Sequence, residues 1–138
     1  MEEFISNSEN DTLIFAKEFA KTLNSGDIVL LDGDLGAGKT VFSKGIVSAL
    51  SNGEICAVSP TFVIVNSYNC NPPVYHFDLY RINDVSELDA IGAEEYFFGD
   101  GICLVEWPIR AENAFPHYAI KVYIEKLDDN KRLIKVDR

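Results

Sequence analysis

The sequence is poor in basic residues and has no long apolar run, and each shortage excludes a class of protein. Its 12 Lys and Arg face 22 Asp and Glu, which leaves a net charge of −10. Because a nucleic-acid backbone requires a basic surface, this charge argues against a stand-alone nucleic-acid binder. No apolar run approaches the roughly 20 residues that span a bilayer. The first residues, Met1 to Phe4, are acidic where a secretory signal is basic, so we expect a cytoplasmic protein.

Cysteine is also scarce. The three cysteines, Cys56, Cys70 and Cys103, are an odd number at wide spacing. Disulfide frameworks and zinc sites usually need paired, closely spaced cysteines. Cys56 and Cys103 lie in apolar stretches and are predicted to be small core residues. We therefore expect no redox role for these thiols.

What is present is the composition of a soluble globular protein, with 138 residues, 47% of them apolar and 25% charged. This length favours one compact domain over residues 1–138. Ser8 to Asp11 has the S-x-x-D form that opens a helix, and apolar residues at helical spacing follow from Thr12 to Leu23. The further predicted elements are strands at 28–31, 62–65, 74–80 and 101–105, helices at 41–50 and in short pieces within 86–98, and a C-terminal hairpin over 118–136. Together these elements predict an α/β fold.

The segment between the first buried strand and the following helix carries the strongest chemical signal. Gly33, Gly38, Lys39 and Thr40 fit the P-loop pattern G-x-x-x-x-G-K-[ST]. The glycines allow a tight turn whose N–H groups face an anion, and the helix N-terminus adds its dipole. Lys39 can then reach the β- and γ-phosphates, while the Thr40 hydroxyl faces Mg²⁺. The pattern predicts ATP and Mg²⁺ as cofactors, and a three-layer P-loop NTPase sandwich with a central, mostly parallel sheet.

A P-loop hydrolase also needs a carboxylate near the metal, and two acids compete for that position. Asp78 follows the apolar stretch Val74 to Phe77, and Glu106 follows Ile102 to Val105. Each acid therefore stands at the carboxyl end of a predicted strand, where parallel sheets gather their ligands. One would bind magnesium and the other would orient or deprotonate the attacking water. The pattern leaves the division of roles open, and a surface acid at a strand end is the alternative for either.

Three further residues each allow two interpretations. Thr61 lies in a short Ser-Pro-Thr segment that suits either a switch sensing the γ-phosphate or a plain turn. Trp107 is the only tryptophan and directly follows Glu106, so it either packs or shapes the site. His76 lies inside a predicted strand, where a core histidine is commoner than a catalytic one.

Four motifs occur in order along the chain: Gly33 to Thr40, Ser59-Pro60-Thr61-Phe62, His76-Phe77-Asp78-Leu79-Tyr80-Arg81, and Leu104-Val105-Glu106-Trp107-Pro108. In this order they resemble the TsaE (YjeE) family of small bacterial ATPases, across essentially the whole chain. The resemblance implies a role in making threonylcarbamoyladenosine, a modified adenosine beside the anticodon of tRNA. It also implies that the chain associates with the TsaD–TsaB pair, that its ATP hydrolysis resets that complex, and that tRNA contact is indirect.

The resemblance implies roles for individual residues. The phosphate-binding set would be Leu35, Gly36, Ala37, Gly38, Lys39 and Thr40, with Glu9 and Thr12 near the base. The catalytic set would be Lys39, Asp78 and Glu106, with Thr40 and Glu106 at the metal. Trp107 matches a functional tryptophan and Thr61 a switch-like threonine. Arg132 matches a basic position near the nucleotide, although Lys131 stands where the family usually has glycine.

Two other functions fit a P-loop. One is a small-molecule kinase, which usually carries an arginine-rich lid; the arginines here, at 81, 110, 132 and 138, are scattered. The other is a nucleotide-gated binding module, in which ATP closes the Thr61 segment to create a docking surface and hydrolysis is incidental.

Overall fold

The computed structural model describes residues 2–34, 36–55 and 64–138, apart from the side chain of Glu112. The predictions for Leu35, Cys56 and Thr61 lie outside these described residues, as do positions 62 and 63 of one predicted strand.

Seven strands and four helices follow one another along the described chain. The strands are β1 Glu2–Ser6, β2 Ile28–Asp32, β3 Val65–Tyr68, β4 Val74–Asp78, β5 Ile102–Glu106, β6 Ile120–Lys126 and β7 Arg132–Asp137. The helices are α1 Glu9–Ala20, α2 Lys39–Leu50, α3 Ser86–Ala90 and α4 Ala93–Phe97, and a 3₁₀ segment covers Pro108–Ala114.

The strands form a single mixed sheet in the order β1-β7-β6-β2-β5-β4-β3. Parallel pairs join β6, β2, β5 and β4 in the centre, and antiparallel pairs add β3 at one edge and β7 with β1 at the other. The predicted α/β fold is confirmed. The predicted C-terminal hairpin is confirmed as β6 and β7, and β6 continues the parallel centre beside β2.

Two edge strands were not predicted correctly. Of the strand expected at 62–65, the described part has only Val65 in a strand, which runs from Val65 to Tyr68 and pairs its polar residues Asn66 and Ser67 with β4. Strand β1 was missed altogether because Glu2–Ser6 shows no regular alternation; its pairing with β7 defines it. Edge strands are only partly buried, so their sequences carry a weaker apolar signal than central strands.

Helices cover both faces of the sheet, which gives the three layers. Successive residues of β2 point to opposite faces. Val29 and Leu31 pack with the core under α1 and α2, whereas Ile28 and Leu30 pack with the core under α3 and α4. The unbroken apolar run of this strand therefore reflects burial on both faces, as predicted.

Helix α1 begins where the sequence predicts, and its first turn is tightly fixed. The Ser8 side chain accepts a hydrogen bond from the Asp11 N–H at 3.0 Å, and the Asp11 carboxylate accepts one from the Asn7 N–H at 3.0 Å. The buried hydroxyls of Ser6 and Thr12 share a hydrogen bond of 2.7 Å. These contacts anchor the start of α1 to β1 and present it to the cleft described below.

The two cysteines in the described part of the chain are free and buried. Cys103 lies in β5 as a core residue, as predicted, and burial raises its pKa to about 12. A thiol with so high a pKa holds almost no thiolate at neutral pH and is poorly reactive. In the described residues, no helix has the length and apolar character needed to cross a membrane.

Candidate nucleotide-binding site

A cleft of about 520 Å³ opens at the carboxyl ends of the central parallel strands. The P-loop forms one wall, and the ends of β4 and β5 form the opposite wall. The start of α1 and the β6–β7 turn complete the rim. The lining residues are Ser8, Glu9, Thr12, Gly36, Gly38, Lys39, Thr40, Val41, Asp78, Tyr80, Glu106, Trp107, Asp129, Asn130 and Arg132.

Glycines shape the P-loop wall because side chains would block it. A Cβ on Gly33 would lie only 2.5 Å from the Ile124 carbonyl oxygen on β6. Gly36 and Gly38 have φ of 80° and 109°, in the left-handed region that L side chains rarely adopt. Gly38 is also the N-cap of α2, so the helix N-terminus opens directly on the cleft. This is the geometry of an anion-binding loop.

Lys39 lies at the floor of the cleft, and its ammonium touches both walls. Nζ donates a hydrogen bond of 2.6 Å to the Gly33 carbonyl and lies 3.5 Å from the centre of the Trp107 ring. The side chain is buried, and burial lowers its pKa against the opposing influence of Glu106 and other nearby carboxylates. Among the described residues, no carboxylate lies within ion-pair distance of Nζ.

The two candidate carboxylates lie side by side on the opposite wall. Asp78 and Glu106 are direct partners in the parallel pairing of β4 and β5. Asp78 is half-buried, its Oδ1 accepts a hydrogen bond of 3.0 Å from the Tyr80 N–H, and burial raises its pKa. Glu106 is only 4% exposed. Two carboxylates, one half-buried and one buried, therefore line one cleft at the ends of neighbouring strands.

Glu106 has a buried partner on the neighbouring strand. His76 Nε2 lies 2.5 Å from Glu106 Oε2, and His76 is completely buried. His76 is thus a buried histidine, as the sequence suggested, but its hydrogen bond goes to a residue of the cleft.

Trp107 belongs to a stack of rings and cations at the cleft rim. Its backbone has φ 58°, an unusual conformation for a residue with a bulky side chain. The Tyr80 ring packs on the indole with a centroid distance of 4.9 Å, and the Arg110 guanidinium lies 5.8 Å from the Tyr80 ring. Because the Lys39 ammonium also lies against its ring, Trp107 shapes the site as well as packing.

Arg132 connects the P-loop to the β6–β7 turn. Its Nε donates to the Ala37 carbonyl at 2.9 Å, and a terminal nitrogen donates to the Gly36 carbonyl at 3.1 Å. The other terminal nitrogen donates to the Asp128 carbonyl at 2.8 Å. Although Lys131 departs from the usual glycine, the arginine still reaches the loop, and it does so through backbone carbonyls.

The structure brings most of the predicted site residues together in the cleft, namely Glu9, Thr12, Gly36, Gly38, Lys39, Thr40, Asp78, Glu106, Trp107 and Arg132. Ala37 is buried directly beneath the loop. Sequence reasoning missed Tyr80, Asp129 and Asn130, which also line the cleft. Tyr80 belongs to the motif that runs from His76 to Arg81, so a sequence signal for it existed. The turn residues Asp129 and Asn130 belong to no recognisable motif.

Comparison with known proteins gives the family. The family model described as "Threonylcarbamoyl adenosine biosynthesis protein TsaE" matches residues 6–134. The chain belongs to the TsaE family. The Bacillus subtilis tRNA threonylcarbamoyladenosine biosynthesis protein TsaE is 42% identical over 125 residues, covering 90% of this chain and 77% of the relative. The Rickettsia bellii TsaE protein is 40% identical over 133 residues, covering 96% and 92%.

A solved structure gives the same result at the level of the fold. The crystal structure of Bacillus subtilis YdiB superposes with a TM-score of 0.79 at 34% identity, covering 96% of this chain and 82% of that one. The TsaE resemblance drawn from four sequence motifs is therefore confirmed.

The cleft of this TsaE-family chain fits a nucleotide phosphate and a magnesium ion. The buried Lys39 ammonium, which has no carboxylate in ion-pair contact among the described residues, suits a phosphate group. Thr40, Asp78 and Glu106 bring hydroxyl and carboxylate oxygens to the same cleft, and oxygen donors are the ligands that Mg²⁺ prefers. Few protein ligands are needed, because Mg²⁺ in such sites keeps several waters and binds substrate phosphates.

Proposed function

We propose that this chain is a magnesium-dependent ATPase that serves threonylcarbamoyladenosine synthesis on tRNA. The observation that carries the proposal is the position of Lys39, buried between the P-loop and the wall that holds Asp78 and Glu106. A cation in this place is suited to the terminal phosphates of a nucleotide. The TsaE family supplies the pathway in which such an activity is used.

The P-loop wall binds and orients the nucleotide. The backbone N–H groups from Gly36 to Thr40 would surround the phosphates, and Lys39 would exchange its Gly33 and Trp107 contacts for phosphate oxygens. Arg132 holds the Gly36 and Ala37 carbonyls from outside, which fixes the direction of the loop. Glu9 and Thr12, at the start of α1, lie on the rim where the base would bind.

The wall formed by the ends of β4 and β5, here called the strand-end wall, would supply the metal-binding and catalytic carboxylates. Mg²⁺, when bound, neutralises charge on the β- and γ-phosphates. Glu106 would join Thr40 in holding the metal. Asp78 accepts a proton from the attacking water as that water bonds to the γ-phosphorus, and the bond to the β–γ bridging oxygen breaks to give ADP and phosphate. The pKa of Asp78, raised by burial, makes it a better base than an exposed aspartate.

The partners we propose are proteins, TsaD and TsaB, with tRNA reached only through them. The net charge of −10 supports this arrangement because it disfavours direct contact with a phosphate backbone. In this scheme ATP turnover resets the complex between modification cycles.

The first test is ATP hydrolysis by the purified chain, alone and with purified TsaD–TsaB and tRNA. We expect slow hydrolysis alone and a clear change in rate with the partners. Equal rates under both conditions would count against the partner role while leaving the nucleotide site intact.

Glu106→Gln separates this proposal from a nucleotide-gated binding module. The ATPase proposal expects that cells carrying this variant lose tRNA modification along with turnover. If partner binding and modification both persist without turnover, the module is the better description. A labelled-ATP screen that yields a phosphorylated small molecule would instead support a kinase.

A further inference from the structure

We propose that His76 is a positioning residue that sets the orientation of Glu106 toward magnesium. The inference rests on the proposed function and assigns a role to a side chain that the ATPase scheme leaves unused. His76 is fully buried in β4, where its Nε2 makes a 2.5 Å hydrogen bond to Glu106 Oε2.

The pairing of β4 with β5 explains why these two side chains meet. His76 pairs with Leu104, and Asp78 pairs with Glu106, two residues further along each strand. His76 and Asp78 therefore lie on the same face of β4, with His76 one step deeper in the sheet. From that position the imidazole reaches the carboxylate from below, on the side away from the solvent.

Burial makes this hydrogen bond important for Glu106. The residue is 4% exposed, and a carboxylate removed from water needs hydrogen-bond partners to be held there. Because His76 engages Oε2, that hydrogen bond leaves Oε1 available to a ligand in the cleft that Glu106 lines. A metal ligand held in this way gains affinity, since its orientation is fixed before the metal binds.

The other ring nitrogen argues against a purely structural histidine. His76 Nδ1 is buried and has no hydrogen-bond partner among the described residues. A histidine retained only for packing would normally satisfy both ring nitrogens. Here the hydrogen bond recorded for the ring serves a residue of the cleft, which is the arrangement expected of a positioning residue.

Two substitutions at His76 distinguish the effect of losing the hydrogen-bond donor from the effect of changing the packing. His76→Gln keeps a side-chain N–H donor near the position of Nε2, whereas His76→Leu keeps bulk and removes the donor. Phe77→Leu is the matched control, because Phe77 is equally buried on the same strand but faces the core on the other side of the sheet. Thermal unfolding identifies the stability loss common to all three.

The decisive readout is the affinity for Mn²⁺ in the presence of ADP, measured by electron paramagnetic resonance, beside ADP affinity without metal. We expect His76→Leu to weaken Mn²⁺ binding about 10- to 100-fold, as loss of a partner to a metal ligand does. ADP affinity without metal should stay unchanged, His76→Gln should restore most of the Mn²⁺ affinity, and Phe77→Leu should keep it.

A double-mutant cycle completes the test. If His76 acts through Glu106, His76→Leu should have little further effect on Mn²⁺ affinity in a Glu106→Gln background. Wild-type Mn²⁺ affinity in His76→Leu, or an equal loss in His76→Gln and His76→Leu, would overturn the positioning role alone. Absence of Mn²⁺·ADP binding by the wild-type chain would overturn the proposed function and this inference with it.

Discussion

The two walls of the cleft are held in place by different kinds of interaction. The P-loop wall depends on backbone conformation, with Gly33, Gly36 and Gly38 at positions where a side chain would clash or be strained, and on one guanidinium from Arg132. The wall at the ends of β4 and β5 depends on buried side chains from two strands, with His76 against Glu106. One wall is fixed mainly by local backbone conformation, to which β7 adds Arg132, and the other is fixed by tertiary pairing.

This difference suggests that the two walls have separate roles, one in nucleotide binding and the other in turnover. A loop of backbone N–H groups can bind any phosphate that fits, so changes to the P-loop wall should act on nucleotide affinity. Carboxylates that tertiary pairing holds at the strand ends act on the metal and on water, so changes to the strand-end wall should act on turnover. The predictions below test this division, from the largest expected effect to the smallest.

Lys39→Ala should have the largest effect because Lys39 touches both walls. Loss of the ammonium removes the cation that faces the transferred phosphate, and hydrolysis should fall about 10³-fold, the upper range for a single electrostatic stabiliser. Steady-state ATPase assays measure this. Lys44→Ala is the control, since Lys44 lies on the same helix but does not line the cleft. Similar rates for Lys39→Ala and the wild type would remove the basis of the proposed function.

Asp78→Asn should reduce turnover and leave binding nearly unchanged. Asparagine keeps the oxygen that accepts the Tyr80 N–H but cannot accept a proton from water. We expect kcat to fall about 100-fold, the lower range for loss of a general base, with Mg²⁺·ADP affinity within about twofold of the wild type. Loss of metal affinity together with turnover would instead place Asp78 at the metal and reverse the roles assigned to the two acids.

The P-loop wall could be predicted from the sequence because its determinants are local. The spacing of Gly33, Gly38, Lys39 and Thr40 fixes both the loop and the helix that follows it. The central strands and Ser8 at the start of α1 were also predictable, because strong apolar patterns and a capping motif mark them. The strand-end positions of Asp78 and Glu106, with Trp107 directly after Glu106, made these residues candidates before the family motifs supported them.

The contact between His76 and Glu106, which supports the strand-end wall, could not be predicted in this way. His76 is 30 residues from Glu106 in sequence, and only the register of β4 against β5 brings the two side chains together. The same holds for Arg132, which lies 95 residues from the Ala37 carbonyl that it contacts. Pairings across strands depend on the order of the sheet, which local periodicity does not specify.

Arg132→Gln should weaken nucleotide binding moderately and spare turnover. The substitution removes the contacts from the guanidinium to the Gly36 and Ala37 carbonyls. At about 1 kcal/mol net for the pair, ADP affinity should fall about fivefold, with kcat nearly unchanged. Isothermal titration with ADP measures the change. Arg138→Gln is the control, because Arg138 contacts Thr22 and does not line the cleft. A loss of kcat at constant affinity would contradict the division between the walls.

The smallest effect should be on stability, where Asp78→Asn should stabilise the protein at neutral pH. Burial raises the pKa of Asp78 above its ordinary value of 3.8. The folded protein therefore binds a proton at the Asp78 carboxyl group more tightly than the unfolded chain does. As pH rises through and above the pKa of Asp78, the ionised carboxylate destabilises the fold. Asparagine avoids this penalty, and the melting temperature at pH 7.5 should rise by at most about 3 °C.

The pH dependence separates this effect from a general change in packing. As pH falls through the raised pKa of Asp78, the carboxylate takes up a proton and the advantage of Asp78→Asn should shrink. Asp128 on the β6–β7 turn is the matched control, because backbone hydrogen bonds lower its pKa. There the ionised form is favoured by folding, so Asp128→Asn should lower the melting temperature at pH 7.5, and this loss should shrink only as pH falls below the ordinary value of 3.8. Thermal unfolding from pH 7.5 to below 3.8 measures both, and a destabilising Asp78→Asn at every pH would show that its carboxylate supports the fold.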